Sequence, residues 1–305
     1  MLRQAGFEVE VSDFDGVLPR EQLLQKVKGA DAILSLLTDK INGEVLDAAG
    51  PQLKIVANYA VGYDNFDLAA AKQRNVVMTN TPDVLTESVA EHAIALIFAI
   101  TRRIVESDQF MRDGKYTGWA PMIFLGNDLV GKTLGLVGFG RIGAAVAKRM
   151  HDGFEMKIIY YDVKRNEELE KQYHLEYKEL NDLLKESDYI SIHVPLLETT
   201  RHLISEPQLK MMKKTAYLIN TSRGPVIDEK ALVAALKNGE IKGAGLDVYE
   251  EEPKMAPGLA ELPNTVLTPH TASATEETRS AMSELAAKNI IAVLSGQPPL
   301  TSIKA

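Results

Sequence analysis

The chain has 305 residues, of which 45% are apolar and 25% charged, and its length exceeds what one hydrophobic core ordinarily serves, so two globular domains are expected. A formal net charge of −8 and a pI near 5.4 argue against nucleic acid or an anionic membrane as partner. The sequence contains no cysteine, which excludes disulfides, thiol catalysis and cysteine-ligated metal; no metal site is expected, and the composition suits a reducing cytoplasm.

Met1-Leu-Arg-Gln-Ala-Gly6 lacks the apolar core of a signal peptide. Short apolar runs then alternate with helical patterns. Strands are predicted at 7–11, 32–36, 53–57 and 76–78, and helices at 19–27, 43–49 and 67–73. Such βα alternation implies a parallel sheet covered on both faces. Asn80-Thr-Pro-Asp83 reads as a turn, and one long amphipathic helix is predicted from about Thr86 towards Arg112. Its most apolar stretch, Ala93 to Ile100, has eight residues; a membrane span needs about 20, so this is a core helix. The segment from Met111 to Gly131 is irregular and carries the only tryptophan, Trp119. It has the character of an active-site lid, a dimer arm or a plain surface crossover.

From Lys132 the alternation resumes, with strands at 134–137, 156–161, 188–194, 216–220, 241–248 and 264–268. Helices are predicted between them at 180–185, 207–212 and 228–237, and a last one at 275–294. The first of these strands runs into Gly138-Phe-Gly-Arg-Ile-Gly143 and then a helical pattern. Gly138 allows the tight turn, Gly140 lets a pyrophosphate approach the backbone, and Gly143 lets the helix pack close to the strand. The N–H groups at the helix start and the helix dipole both favour an anion there. The next strand ends in Asp162, 19 positions after Gly143, where a carboxylate can hold the ribose hydroxyls of adenosine. This register predicts dinucleotide binding, with NAD favoured over NADP because Asp162 repels a 2′-phosphate; Lys164 and Arg165 could offset that repulsion.

Three polar residues fall just past strand ends: Arg223, Glu252 and His270. Singly, each has a structural explanation, as a turn brace, a member of the acidic run Glu250-Glu-Glu252, and one of six histidines. Together they supply what hydride transfer to a 2-oxo acid requires. A guanidinium binds the carboxylate, an imidazole donates the proton, and a carboxylate fixes the imidazole tautomer.

Gly138 to Gly143, Asn220-Thr-Ser-Arg-Gly224, Gly245-Leu-Asp-Val-Tyr-Glu-Glu-Glu-Pro253 and Leu267-Thr-Pro-His270, in that order, resemble the D-isomer-specific 2-hydroxyacid dehydrogenases. Val56 to Asn65 with Asn80 to Val84 looks most like the glyoxylate/hydroxypyruvate reductase branch. The resemblance implies an α/β fold of two Rossmann-like domains with parallel sheets. A flavodoxin-like substrate domain is built from residues 1–83 and 270–305, and the NAD(P)-binding domain is 84–269 with a dimerisation region. It implies Arg223 as the substrate-orienting cation, His270 as acid/base, Glu252 as its partner, and the N–H groups at Val61 and Gly62 as carboxylate ligands. It places Phe139, Arg141 and Ile142 at the pyrophosphate and Val163 and Lys164 at the ribose. Val194 and Pro195 fall beside the adenine, and Thr221, Ser222, Asp247 and Ala272 fall near the nicotinamide. The implied activity is NAD(P)H-dependent reduction of glyoxylate or hydroxypyruvate by a cytoplasmic homodimer. The rivals are a lactate-type or phosphorylated substrate, or a non-catalytic NADH-sensing scaffold. Two departures stand out. Family members carry a strand ahead of the segment at Leu2, which this sequence does not contain, so apolar neighbours should be exposed or a gap left. Many relatives have Gly where Ala272 stands, and its methyl could crowd the nicotinamide.

Overall fold

The computed structural model describes residues 1–14, 16–173 and 175–303. The chain forms two compact units, Met1–Leu85 with Ala274–Ala305, and Thr86–Ser273. In chain order, the first unit opens with α1 (Arg20–Lys26), β1 (Ala32–Ser35), α2 (Gly43–Ala49), β2 (Ile55–Asn58), α3 (Leu68–Gln73) and β3 (Val77–Thr79). The second unit holds α4 (Thr86–Thr101), α5 (Ile104–Arg112), β4 (Thr133–Val137), α6 (Arg141–Phe154), β5 (Lys157–Tyr161), α7 (Glu167–Tyr173) and β6 (Glu176–Tyr177). It continues through α8 (Leu180–Glu186), β7 (Tyr189–Ile192), α9 (Glu206–Met211), β8 (Tyr217–Asn220), α10 (Glu229–Lys237), β9 (Gly243–Leu246) and β10 (Thr265–Leu267). Helix α11 (Glu276–Leu294) returns to the first unit.

Side-chain caps set several helix starts. The Asn42, Asp67, Asp228 and Thr275 side chains accept the N–H of Val45, Ala70, Ala231 and Thr278 respectively.

In the first unit, β1, β2 and β3 make a parallel three-stranded sheet in that order. Side chains alternate across β2, so Ile55 and Ala57 pack with Ala286 and Ile290 of α11, while Val56 joins Ile33, Val45 and Leu46 opposite. The predicted strand at 7–11 is not formed. Those residues join no ladder, and Glu8, Glu10 and Val11 are exposed. Strand β1 is the sheet edge on that side, and Leu34 and Leu36 stand 42% and 45% exposed.

The second unit is built on a parallel seven-stranded sheet ordered β10-β9-β8-β7-β4-β5-β6. From β4 the chain winds to β5 and β6 on one side and returns through β7 to β10 on the other. The strand order therefore reverses between β4 and β7, and in open parallel sheets ligands bind outside the carboxyl ends at such a point.

The single helix predicted from 86 towards 112 is in fact two. It breaks at Arg102–Arg103, where Arg103 adopts a left-handed φ of 52° and ion-pairs with Glu106. The two short elements at 167–173 and 176–177 carry no strong periodicity and are absent from the sequence prediction. No helix among the described residues is long and apolar enough to cross a membrane.

Candidate active site

The carboxyl ends of β5, β4, β7, β8, β9 and β10 carry, in spatial order, Asp162, Gly138, Val194, Thr221, Asp247 and the turn to His270. At the end of β4 the chain turns through Gly138, whose φ of 98° is left-handed. A Cβ on Gly138 would stand 2.7 Å from the His193 carbonyl carbon, and one on Gly143 would strike the Gly138 carbonyl oxygen. Only glycine allows β4, α6 and the segment after β7 to converge so closely. Gly140, by contrast, has nothing within 4 Å of a built Cβ and N-caps α6 with no side-chain acceptor, so the helix begins beside open space at Gly140. Phe139 is buried against Tyr160 with ring centroids 4.3 Å apart. Its N–H donates to Asp162 Oδ2 at 2.6 Å, and the Lys164 N–H donates to Asp162 Oδ1 at 3.3 Å. Val163 is almost fully exposed, Val194 half-buried and Pro195 exposed.

The Arg223 turn is organised by buried Asn220. Asn220 Oδ1 accepts from the Ser222 N–H at 3.0 Å and the Ser222 hydroxyl at 2.8 Å, while its Nδ2 donates to Arg223 O at 2.9 Å. Arg223 Nη1 donates to Ser222 O at 2.8 Å. A Cβ on Gly224 would collide with the Tyr249 carbonyl, so this turn lies directly against the one that follows β9. Thr221 Oγ1 is buried without a hydrogen-bond partner among the described residues. An orphaned hydroxyl at a strand end, with the open helix start at Gly140 and a carboxylate at the end of β5, fits a dinucleotide laid across these ends.

Glu252 and His270 meet. His270 Nδ1 lies 2.9 Å from Glu252 Oε2, and Glu252 Oε1 accepts from the Tyr249 N–H at 3.1 Å. The buried Tyr249 hydroxyl, pushed up to about 12 by desolvation, stays protonated and donates to Thr268 O at 3.0 Å. The imidazole thus offers Nε2 on the side away from Glu252. His270 itself has a left-handed φ of 53°, and its N–H donates to Asp247 O at 2.8 Å.

Asp247 is fully buried and gathers the whole turn. Its carboxylate accepts from Thr268 Oγ1 at 2.6 Å and from the Thr271 and Ala272 N–H groups, both at 2.8 Å. Burial alone would raise its pKa, yet these bonds, with His92 at 3.4 Å, outweigh it and hold the group below the ordinary carboxylate value. His270 and Ala272 therefore belong with the second unit, which runs to Ser273, rather than with an outer domain beginning at residue 270.

Two residues of this set escape the sequence reading. His92 on α4 contacts Thr268 Oγ1 at 3.0 Å as well as Asp247. Glu229, 4% exposed, accepts the N–H groups of Glu250 and Ala256, each at 2.7 Å, and so brackets the loop that carries Glu252. A glutamate at the first helical position normally serves the helix dipole in solvent, and nothing in the residue pattern marks this one as buried. Glu250, readable as plain surface acid, binds His202 Nε2 at 2.7 Å. Val61 and Gly62 lie in the first unit, in the turn after β2.

A glycine-lined helix start, a carboxylate at the end of β5 and an imidazole–carboxylate pair along one parallel sheet are the features expected of a dinucleotide-dependent oxidoreductase. Residues 94–272 match the profile of the D-isomer specific 2-hydroxyacid dehydrogenase NAD binding domain. The chain is 53% identical over 296 residues to the glyoxylate reductase of Korarchaeum cryptofilum, covering 96% of this chain and 88% of that one. It is 53% identical over 297 residues to the glyoxylate reductase of Thermococcus litoralis, covering 96% and 89%. Among solved structures, a Thermus thermophilus protein superimposes with a TM-score of 0.92 at 43% identity, over 99% of this chain and 95% of that one. The NADPH-dependent glyoxylate/hydroxypyruvate reductase of Sinorhizobium meliloti, in complex with NADP and malonate, has a TM-score of 0.82 at 39% identity, over 89% and 83%. The chain belongs to the D-isomer-specific 2-hydroxyacid dehydrogenase family and is an oxidoreductase with an NAD-binding domain.

Proposed function

We propose that the protein reduces glyoxylate, hydroxypyruvate or a similarly small 2-oxo acid to the 2-hydroxy acid, with NADH preferred. The observation that carries this reading is the 2.9 Å contact between His270 Nδ1 and Glu252 Oε2 at the carboxyl edge of the nucleotide sheet. Glu252 fixes the tautomer and stabilises the imidazolium, and Nε2 delivers a proton to the substrate oxygen. A bound reduced nicotinamide supplies the hydride. Arg223 and the N–H groups at Val61 and Gly62 hold the substrate carboxylate. Asp162 receives the adenosine ribose and disfavours a 2′-phosphate. Arg165, close by in sequence, is engaged by Glu170 through contacts of 3.0 and 2.6 Å, which supports NAD over NADP.

The working form in this reading is a cytoplasmic homodimer. The exposed apolar side chains Ile104, Val105, Met111, Trp119 and Met122 on α5 and the segment after it suit burial against a second copy. The test is NADH oxidation by the purified protein with glyoxylate, hydroxypyruvate and pyruvate, repeated with NADPH. His270→Ala and Arg223→Ala should lower kcat/KM by orders of magnitude while NADH still quenches or enhances fluorescence on binding. Near-normal turnover in His270→Ala, or none in the wild-type protein with any of the three acids, defeats the reading.

A further inference from the structure

Resting on that reading of the carboxylate ligands, we infer that Asn80 is a positioning residue that aims the backbone N–H of Gly62 at the substrate, in a turn whose flanking peptide units are held by the Thr81 N–H and by Asn58. A trans peptide unit is planar, and its N–H points opposite to its C=O. Whatever grips the carbonyl of one residue therefore fixes the direction of the next residue's N–H. Three successive peptide units after β2 are gripped in this way. The Ala60 carbonyl accepts the Thr81 N–H at 2.9 Å, which orients the Val61 N–H. The Val61 carbonyl accepts Asn80 Nδ2 at 2.7 Å, which orients the Gly62 N–H. The Gly62 carbonyl accepts Asn58 Nδ2 at 2.8 Å, which orients the N–H of Tyr63. Every partner is on the carbonyl side. The Val61 and Gly62 N–H groups have no acceptor among the described residues, so the segment presents donors outward from a braced backbone.

The braces are themselves fixed. Asn58 is fully buried at the end of β2, and its Oδ1 accepts the buried Ser35 hydroxyl at 3.1 Å and Asn65 Nδ2 at 3.3 Å. Asn80 follows β3, and its carbonyl accepts the Thr301 hydroxyl at 2.7 Å. Thr301 is tied in turn to Asn289 of α11, itself fully buried. A chain this long is not needed to close a turn. It is suited to donors that must not rotate, because a preorganised amide pair binds an anion without reorienting when the ligand arrives.

The experiment uses the full-length enzyme with glyoxylate as the varied substrate and oxamate as a dead-end inhibitor. Asn80→Ala and the near-isosteric Asn80→Asp both delete the donor to Val61 O. In each, KM for glyoxylate and the oxamate inhibition constant should rise on the order of tenfold. The kcat at saturation should stay within about threefold and NADH affinity should be unchanged. Thermal melts run alongside. If Asn80 only stabilised the turn, the melting temperature would fall while KM stayed at the wild-type value, and an unchanged KM in either folded variant overturns the inference. Wild-type protein that turns over glyoxylate, paired with an unaltered KM in the variants, sinks this inference alone. Absence of wild-type turnover sinks the proposed function and this inference with it.

Discussion

Two glycines of α6 should respond in opposite directions to the same substitution. Replacing a helical glycine with alanine ordinarily stabilises by roughly 0.5–1 kcal/mol, because the unfolded chain loses freedom and the helix gains propensity. At Gly153, near the end of α6, a Cβ meets nothing within 4 Å, so Gly153→Ala should gain up to that amount and melt about 1–3 °C higher. At Gly143 the new methyl would overlap the Gly138 carbonyl oxygen. That oxygen has little room to move, since the Gly138 N–H is held by Tyr161 O at 2.8 Å and the residue is pressed against the His193–Val194 backbone. Overpacking of this kind costs about 1–3 kcal/mol and exceeds the propensity gain. Gly143→Ala should therefore melt lower by roughly 2–6 °C. Because relief requires moving the nucleotide turn itself, NADH affinity should fall about tenfold or more. Differential scanning fluorimetry with and without NADH reads both quantities. A Gly143→Ala protein as stable as wild type with unaltered NADH binding, or two variants shifting the same way, refutes the close-approach argument.

Acid should weaken the second unit through His193. Desolvation lowers this imidazole to about 4 from 6.5, so it is neutral when folded and gains a proton on unfolding between those pH values. Stability is then complete above 6.5 and declines as pH falls towards 4, by roughly 3 kcal/mol in all; the difference in urea midpoint between the wild type and His193→Gln should be constant above pH 6.5 and shift in favour of the variant as pH falls towards 4, and parallel curves would remove the assignment. Asp247→Ala strands two backbone N–H donors and the Thr268 hydroxyl in a buried turn, a loss of roughly 3–5 kcal/mol that should abolish turnover, measured by chemical unfolding and NADH oxidation. Wild-type activity in that variant would mean the turn holds His270 without its central acceptor.

The parts of this molecule legible in its sequence are those where one residue type answers one local demand. Gly138, Gly140 and Gly143 follow an apolar strand and precede a helix, and the sheet order puts them at its switch point. Glu252 and His270 each follow a strand in the sequence, and the fold brings these two side chains within 2.9 Å. What stayed hidden is tertiary. Nothing in Thr101-Arg-Arg-Ile104 distinguishes a kinked helix from a straight one, and the break shows only in the backbone of Arg103. Residues 7–11 alternate like a strand, yet alternation forms no ladder without a neighbour to pair with. His92 and Glu229 sit in helices, and their roles depend on turns about 155 and 21 positions away.

The backbone at residue 270 has a conformation that Gly or Asn adopts with less strain than His. A laboratory selection that rewards heat resistance alone would drift away from the imidazole there, accumulating sturdier proteins that no longer work. A histidine at this spot is thus a choice that folding by itself does not call for.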